Sequence, residues 1–178
     1  VGALSWNSVG TNDKSAYVFQ RVDSTWSQMA KLTGTGGATG MFGSSVSLSG
    51  DYAIVGAEQD GGSSTMGAAY VYQRVGSEWN QAAKLTPSDG APGDHFGVSV
   101  SLQGEYALVG AWWHDPRGAA YVFKRTGNTW IQTAKLTITD GSQTNNFGRS
   151  VSIDGNHALV GAPSGPGPGV AYMFERTG

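Results

Sequence analysis

The chain has 178 residues, no cysteine and a formal charge of −2, which is enough length for one domain with a sizeable core. Without cysteine, disulfide frameworks and thiolate metal sites are excluded and either redox compartment is allowed. Only 13% of residues are charged, against roughly 25% in a typical domain, and there is no basic or acidic run, so the footprint needed for nucleic acid or an anionic membrane surface is missing.

The first residues, "VGALSWNSVG", lack the charged and apolar regions of a signal peptide, and no stretch approaches the roughly 20 apolar residues of a membrane span. The chain therefore reads as a soluble, processed or excised segment. "VGA" (1–3) is followed by a polar loop, "LSWNSVGTNDKS" (4–15), and by "AYVFQR" (16–21), in which Tyr17 and Phe19 share one face and Ala16 and Val18 the other. That alternation predicts a strand. The turn "VDST" leads to "WSQMAKLT" (26–33). Next, "FGSSVSL" (42–48) sets Val46 and Leu48 opposite Ser45, Ser47 and Ser49. The tight turn "SGD" returns the chain into "YAIVGA" (52–57), apolar throughout as in a strand covered on both faces.

From there the order repeats. "AYVYQR" (69), "WNQAAKLT" (79), "FGVSVSL" (96), "YALVGA" (106), "AYVFKR" (120), "WIQTAKLT" (130), "FGRSVSI" (147), "HALVGA" (157) and "AYMFER" (171) follow in turn, and Tyr17, Tyr70, Tyr121 and Tyr172 are 53, 51 and 51 residues apart. Labelling the FG, VGA, AYVF and Trp blocks A, B, C and D, one unit is four strands in about 50 residues, the size of a propeller blade. No block has helical periodicity. The expected fold is all-β: a β-propeller built of four-stranded antiparallel blades, about three and a half in this chain. The single segment 1–178 divides into a partial blade B-C-D (1–33), whole blades at 34–86 and 87–137, and a partial blade A-B-C (138–178). A solenoid of small sheets is the competing arrangement. Fourteen strands leave an open edge at each end, which invites pairing. The chain is therefore expected to continue in a longer protein or to be completed by other copies.

Three stretches carry a family likeness: "FGSSVSLSGDYAIVGA" (42–57), "FGVSVSLQGEYALVGA" (96–111) and "FGRSVSIDGNHALVGAP" (147–163). They resemble FG-GAP repeats, the blades of the integrin α-subunit propeller and of many bacterial extracellular proteins. The resemblance implies a non-enzymatic, extracellular or cell-surface module for binding or adhesion. Integrin-like repeats often carry a calcium loop between strands A and B; here that junction is only "SGDY", "QGEY" or "DGNH", too short of oxygen ligands. The loop "SDGAPGDHFG" (88–97) offers Asp89 and Asp94, but its counterparts offer fewer carboxylates. No metal and no cofactor are assigned.

In an antiparallel blade the A–B and C–D turns lie on one face of the disc and the B–C and D–A connections on the other. The first set is minimal; the second is longer and differs between copies. Variable loops on a constant scaffold are where recognition is placed. The loop "WWHDPRG" (112–118) supplies the candidate ligand-binding residues: Trp112, Trp113, His114, Asp115 and Arg117. Flat apolar rings beside fixed hydrogen-bonding groups suit a glycan or protein ligand; contact with another subunit and local packing are the other two readings. Trp26, Trp79 and Trp130, once per unit, are expected to pack between blades, and Lys31, Lys84 and Lys135 to guard an outer edge. His114 beside Asp115 makes no catalytic set without a nucleophile. The Gly-rich stretches open no helix, so they are not phosphate loops. The alternative to a binding module is a structural repeat that assembles through open blade edges into a closed oligomer or surface fibre.

Overall fold

The computed structural model describes residues 2–3, 14–34, 40–61, 65–114, 117–139, 146–163 and 168–177. Every strand block forms a strand, and among the described residues there is no helix. The first sheet holds β1 (Gly2–Ala3), β2 (Ser15–Val22) and β3 (Thr25–Thr33); the second β4 (Phe42–Ser49), β5 (Tyr52–Ala57), β6 (Ala68–Val75) and β7 (Glu78–Leu85). The third holds β8 (Phe96–Gln103), β9 (Tyr106–Ala111), β10 (Ala119–Thr126) and β11 (Thr129–Leu136); the fourth β12 (Ser150–Asp154), β13 (His157–Ala162) and β14 (Val170–Glu175). Strands neighbour one another in chain order, all pairs are antiparallel, and the complete sheets run A-B-C-D. These are propeller-like blades in series. Their sheets do not close into a ring.

Consecutive blades meet through their A and B strands, β4 and β5 packing on β8, and β8 and β9 on β12. One face of β8 and of β12 is apolar and enters the core of the preceding blade. Val100 and Leu102 join Ile54, Val71 and Leu85 of the second sheet, and Val151 and Ile153 pack on Leu108 and Ala120 of the third. Phe42, Phe96 and Phe147 are fully buried, each edge-on to the two aromatic rings of its own C strand at 5.6–6.3 Å.

The serine faces of β4 and β8 are directed at the next blade. Ser45 Oγ donates to the Gly97 carbonyl at 2.8 Å and Ser99 Oγ to the Gly148 carbonyl at 2.7 Å. Ser47 Oγ accepts from the Leu102 N–H at 3.0 Å, and Ser101 Oγ from the Ile153 N–H at 3.1 Å. The glycine of each VGA block makes room for this approach. A Cβ on Gly56 would lie 2.0 Å from the Gly97 carbonyl oxygen, and one on Gly110 1.9 Å from that of Gly148. Thus "FG", "SxS" and "VGA" are three parts of one inter-blade joint.

The two faces of the assembly are distinct. On one, A–B turns meet the ends of C strands: Asp51 accepts from the Arg74 guanidinium at 2.7 Å, and the Glu105 carbonyl accepts from the Arg125 N–H at 2.7 Å. On the other, B–C and D–A connections lie together, as the Gly93 N–H to Thr65 carbonyl bond of 3.0 Å and the Phe96 N–H to Met66 carbonyl bond of 2.8 Å require.

Candidate binding surface

The candidate loop is fixed at both ends by backbone bonds. The Trp113 N–H donates to the Asp94 carbonyl at 3.3 Å, the His114 N–H to Ala111 at 3.2 Å, and the Gly118 N–H to His114 at 2.6 Å. The Arg117 carbonyl accepts from the Phe147 N–H at 3.1 Å, joining the loop to the FG turn of the next blade. Asp115 lies outside the described residues, as do most of the first unit's loop and the middle of the last unit's "PSGPGPG".

The two tryptophans have different environments. Trp112 is half-buried: its ring lies 5.3 Å from the His95 ring, with the Arg149 guanidinium 4.8 Å above it, and its Nε1 is buried without a hydrogen-bond partner. It seals the joint between the third and fourth blades. Trp113 stands edge-on to Trp112 at 4.9 Å and is 61% exposed. The pair is one packing ring supporting one free ring.

His114 is held by a carboxylate from another loop. Its Nδ1 is 2.7 Å from Asp94 Oδ2, and Lys135 Nζ is 2.9 Å from its Nε2. An ammonium can only donate, so Nε2 is the acceptor and the ring proton sits on Nδ1, toward Asp94. Asp94 Oδ2 also accepts the Ala91 N–H at 2.7 Å. Asp89 takes Lys135 Nζ at 2.5 Å and the Tyr121 hydroxyl at 2.9 Å. Burial works to raise the Asp89 pKa, but the bonds from Lys135 and Tyr121 and the Lys135 charge outweigh it, holding the carboxyl below its ordinary value. Burial first, and then the Asp89 bond, push the Tyr121 hydroxyl well above its ordinary range.

The second blade repeats this brace. Buried Asp60 accepts from the Tyr70 hydroxyl at 2.9 Å and pairs with Lys84 at 2.6 Å. The carboxylate comes from the B–C loop there and from the D–A loop in the third blade, yet Tyr and Lys converge on it in both. Lys84 and Lys135, read from sequence as edge guards, reach over the tyrosine rings of their own sheets to these carboxylates. The carboxylates of Asp89 and Asp94 are thereby taken up by protein donors, and among the described residues no cluster of three or more His, Cys, Asp or Glu could hold a metal ion.

The per-unit tryptophans pack between blades where a preceding blade is described. Trp130 is edge-on to Tyr52 at 6.3 Å, and Trp79 packs on the core shared with the first sheet. Asp94, His95 and Arg149 were missed as part of the loop's setting. For Arg149 a signal existed: its position is Ser44 and Val98 in the other copies, and its guanidinium lies over the tryptophan ring.

The FG-GAP repeat family matches residues 26–72, 79–123 and 130–174. Each match starts at a D strand and ends in the C strand of the following sheet, and the serine-glycine joint links one match to the next. No curated protein matches the chain.

Proposed function

The chain belongs to the FG-GAP repeat family, and from that premise we propose that it is a non-enzymatic, extracellular binding or adhesion module that recognises a glycan or a protein through its variable-loop face. The observation that carries this reading is the Trp113 ring, 61% exposed on a loop pinned by backbone bonds. A rigid, exposed aromatic costs little ordering entropy on binding and offers a flat apolar face for a sugar ring or an apolar side chain. His114 anchors the loop through Asp94 and Lys135, Arg117 supplies a polar group on the same loop, and Arg149 a charge beside it. Family repeats are typical of extracellular proteins, and among the described residues no helix is long and apolar enough to cross a membrane.

A glycan array and a protein-interaction screen, run on the protein and on Trp113→Ala, test the reading. Binding that the variant loses while keeping its fold supports it. Binding unchanged in Trp113→Ala, or no binding in either screen, removes the loop from the function.

A further inference from the structure

We propose that the cleft between the second and third sheets, on the side of the short turns, binds a hexuronate, a single sugar ring that carries a carboxylate. The proposal does not rest on recognition by the variable-loop face, which lies at the other end of the same strands. Both sheets that form the cleft are four-stranded.

The cleft holds about 230 Å³ and is lined by Tyr52, Gln73, Ala82, Arg125, Asn128 and Trp130. That volume is below the roughly 300 Å³ at which drug-sized pockets begin, which limits an occupant to about one ring. Two aromatic walls form its corner, the Trp130 ring standing at 71° to that of Tyr52 with centroids 6.3 Å apart. The Arg125 guanidinium lies over the Tyr52 ring at 4.5 Å, and the primary amides of Gln73 and Asn128 complete the lining.

Arg125 sets this cleft apart. Arg74, Arg125 and Arg176 hold the same place at the end of the AYVF block, and their backbone N–H groups donate to Asp51, Glu105 and Asn156 of the A–B turns. In the second sheet the side chains follow: Arg74 Nε and Nη2 lie 2.8 and 2.7 Å from Asp51 Oδ1. In the fourth, Arg176 Nη2 donates to Asn156 Oδ1 at 2.5 Å. Glu105 is one methylene longer than aspartate, and its Oε1 stays 3.8 Å from Arg125 Nη2, beyond hydrogen-bond reach. Arg125 Nη1 donates to the Gly127 carbonyl at 3.1 Å, and Nε is buried without an acceptor among the described residues. A guanidinium offers five N–H groups in a planar fork that fits a carboxylate. This one is held flat on a ring, and the protein's own acceptors do not saturate it.

The rest of the lining changes from unit to unit. The frame recurs: Tyr52 as Tyr106, Arg125 as Arg21, Arg74 and Arg176, Trp130 as Trp26 and Trp79. Between these fixed walls, Gln73 is replaced by Lys124 and Glu175, Asn128 by Ser24 and Ser77, and Ala82 by Met29 and Thr133. In this cleft the variable positions supply two amides and the smallest of the three side chains at the Ala82 position, so it has both room and hydrogen-bonding groups.

The chemistry selects the ligand. The guanidinium calls for an anion, and the aromatic corner calls for an organic body in place of a bare ion. Amides both donate and accept, which suits ring hydroxyls better than a wholly apolar acid. A sugar acid has all three parts: a carboxylate for Arg125 Nη2, a C–H face for Trp130, and hydroxyls for Gln73 and Asn128. Glu105 is the carboxylate that competes with it for Nη2.

Isothermal titration calorimetry with galacturonate, glucuronate, galactose, benzoate and an oligogalacturonide tests this. We expect a hexuronate to bind and galactose to bind more weakly by about tenfold or more, the least loss expected when an interaction with a charged group is removed. Ala82→Met, at an exposed position, fills the cleft with the residue that the first unit carries there, and should abolish binding while circular dichroism shows an unchanged fold. Glu105→Gln removes the competitor and should tighten binding by about two- to fivefold. Trp113→Ala should leave it unchanged, which separates this site from the loop face. An oligogalacturonide that binds with the same dependence on Ala82 assigns the ligand to a glycan chain, and one that does not bind assigns it to the free sugar acid. The proposal is overturned if neither hexuronate binds, if galactose or benzoate binds as tightly, or if binding survives Ala82→Met. Binding that is not tightened by Glu105→Gln, or that is lost in Trp113→Ala, overturns it equally.

Discussion

The hydroxyl of Ser45 donates to the carbonyl of Gly97, 52 residues further on, at 2.8 Å. Ser99 does the same to Gly148 at 2.7 Å, and so a serine that alternation alone would send to solvent is the link between blades.

Removing that donor leaves an inter-blade carbonyl unpaired. Ser99→Ala is expected to lower unfolding stability by about 1 kcal/mol, the usual net value of one intramolecular hydrogen bond. Urea denaturation at unchanged m-value is the check, and a change within error would reduce the serine link to coincidence.

The glycines of the VGA blocks should differ in tolerance. Gly110→Ala places a methyl 1.9 Å from the Gly148 carbonyl oxygen and must push two blades apart, costing on the order of 3 kcal/mol or more. At Gly161 the clash is with the Ser150 hydroxyl at 2.2 Å, a side chain able to rotate, so Gly161→Ala should cost under about 1 kcal/mol. Thermal unfolding of the two variants side by side decides it; equal losses would contradict the role assigned to the close approach.

Asp89 gives the acid limb of stability a defined sign. Its folded carboxyl lies below the ordinary value of 3.8, so the stability it contributes is fully present above that value and is lost as pH falls through the lower folded one. Near neutral pH Asp89→Asn should be the less stable protein; in acid, wild type should lose stability more steeply and the gap should narrow. The side chain is 46% exposed, so solvent screening keeps the effect small. Denaturation midpoints measured across the acid range would show a constant gap if the Lys135 and Tyr121 contacts to Asp89 carried no charge-dependent energy.

The tryptophan neighbours should separate cleanly. Trp113→Ala is expected to leave stability within about 0.5 kcal/mol, as for an exposed side chain. Trp112→Ala, removing a half-buried ring from between His95 and Arg149, should cost about 2 kcal/mol, less than the roughly 3–5 kcal/mol for a fully buried aromatic. Near-UV circular dichroism and chemical denaturation report both. A destabilised Trp113→Ala would mean that the ring described as free is instead part of the packing.

The sheets were legible because each signal is local. Alternation in "SSVSL" and "AYVF" and the turns "SGD", "QGE" and "DGN" specify strand and hairpin within a few residues, and repetition confirmed each one three times over. The site was legible only in part. That a tryptophan pair sits on a variable loop could be read from one copy's departure from the others; that His114 is held by Asp94, 20 residues before it, and not by its chain neighbour could not, since the two loops come from different connections. Lys84 and Lys135 stand on edge strands as read, but their ion pairs were hidden for the same reason, the carboxylates being 24 and 46 residues away in sequence.

The sequence by itself determined the all-β class, the strand order, the unit length and the side of each blade that carries variable loops. These rest on periodicity and turn chemistry, which act over neighbouring residues. Only the tertiary structure decided that the serine face joins blade to blade, that Trp112 is half-buried support and Trp113 the free ring, and that Tyr, Lys and a carboxylate from either loop close a brace. Those outcomes depend on which groups meet after blades stack, and hydrogen bonding and burial across 20 to 55 residues of chain leave no pattern in the local sequence.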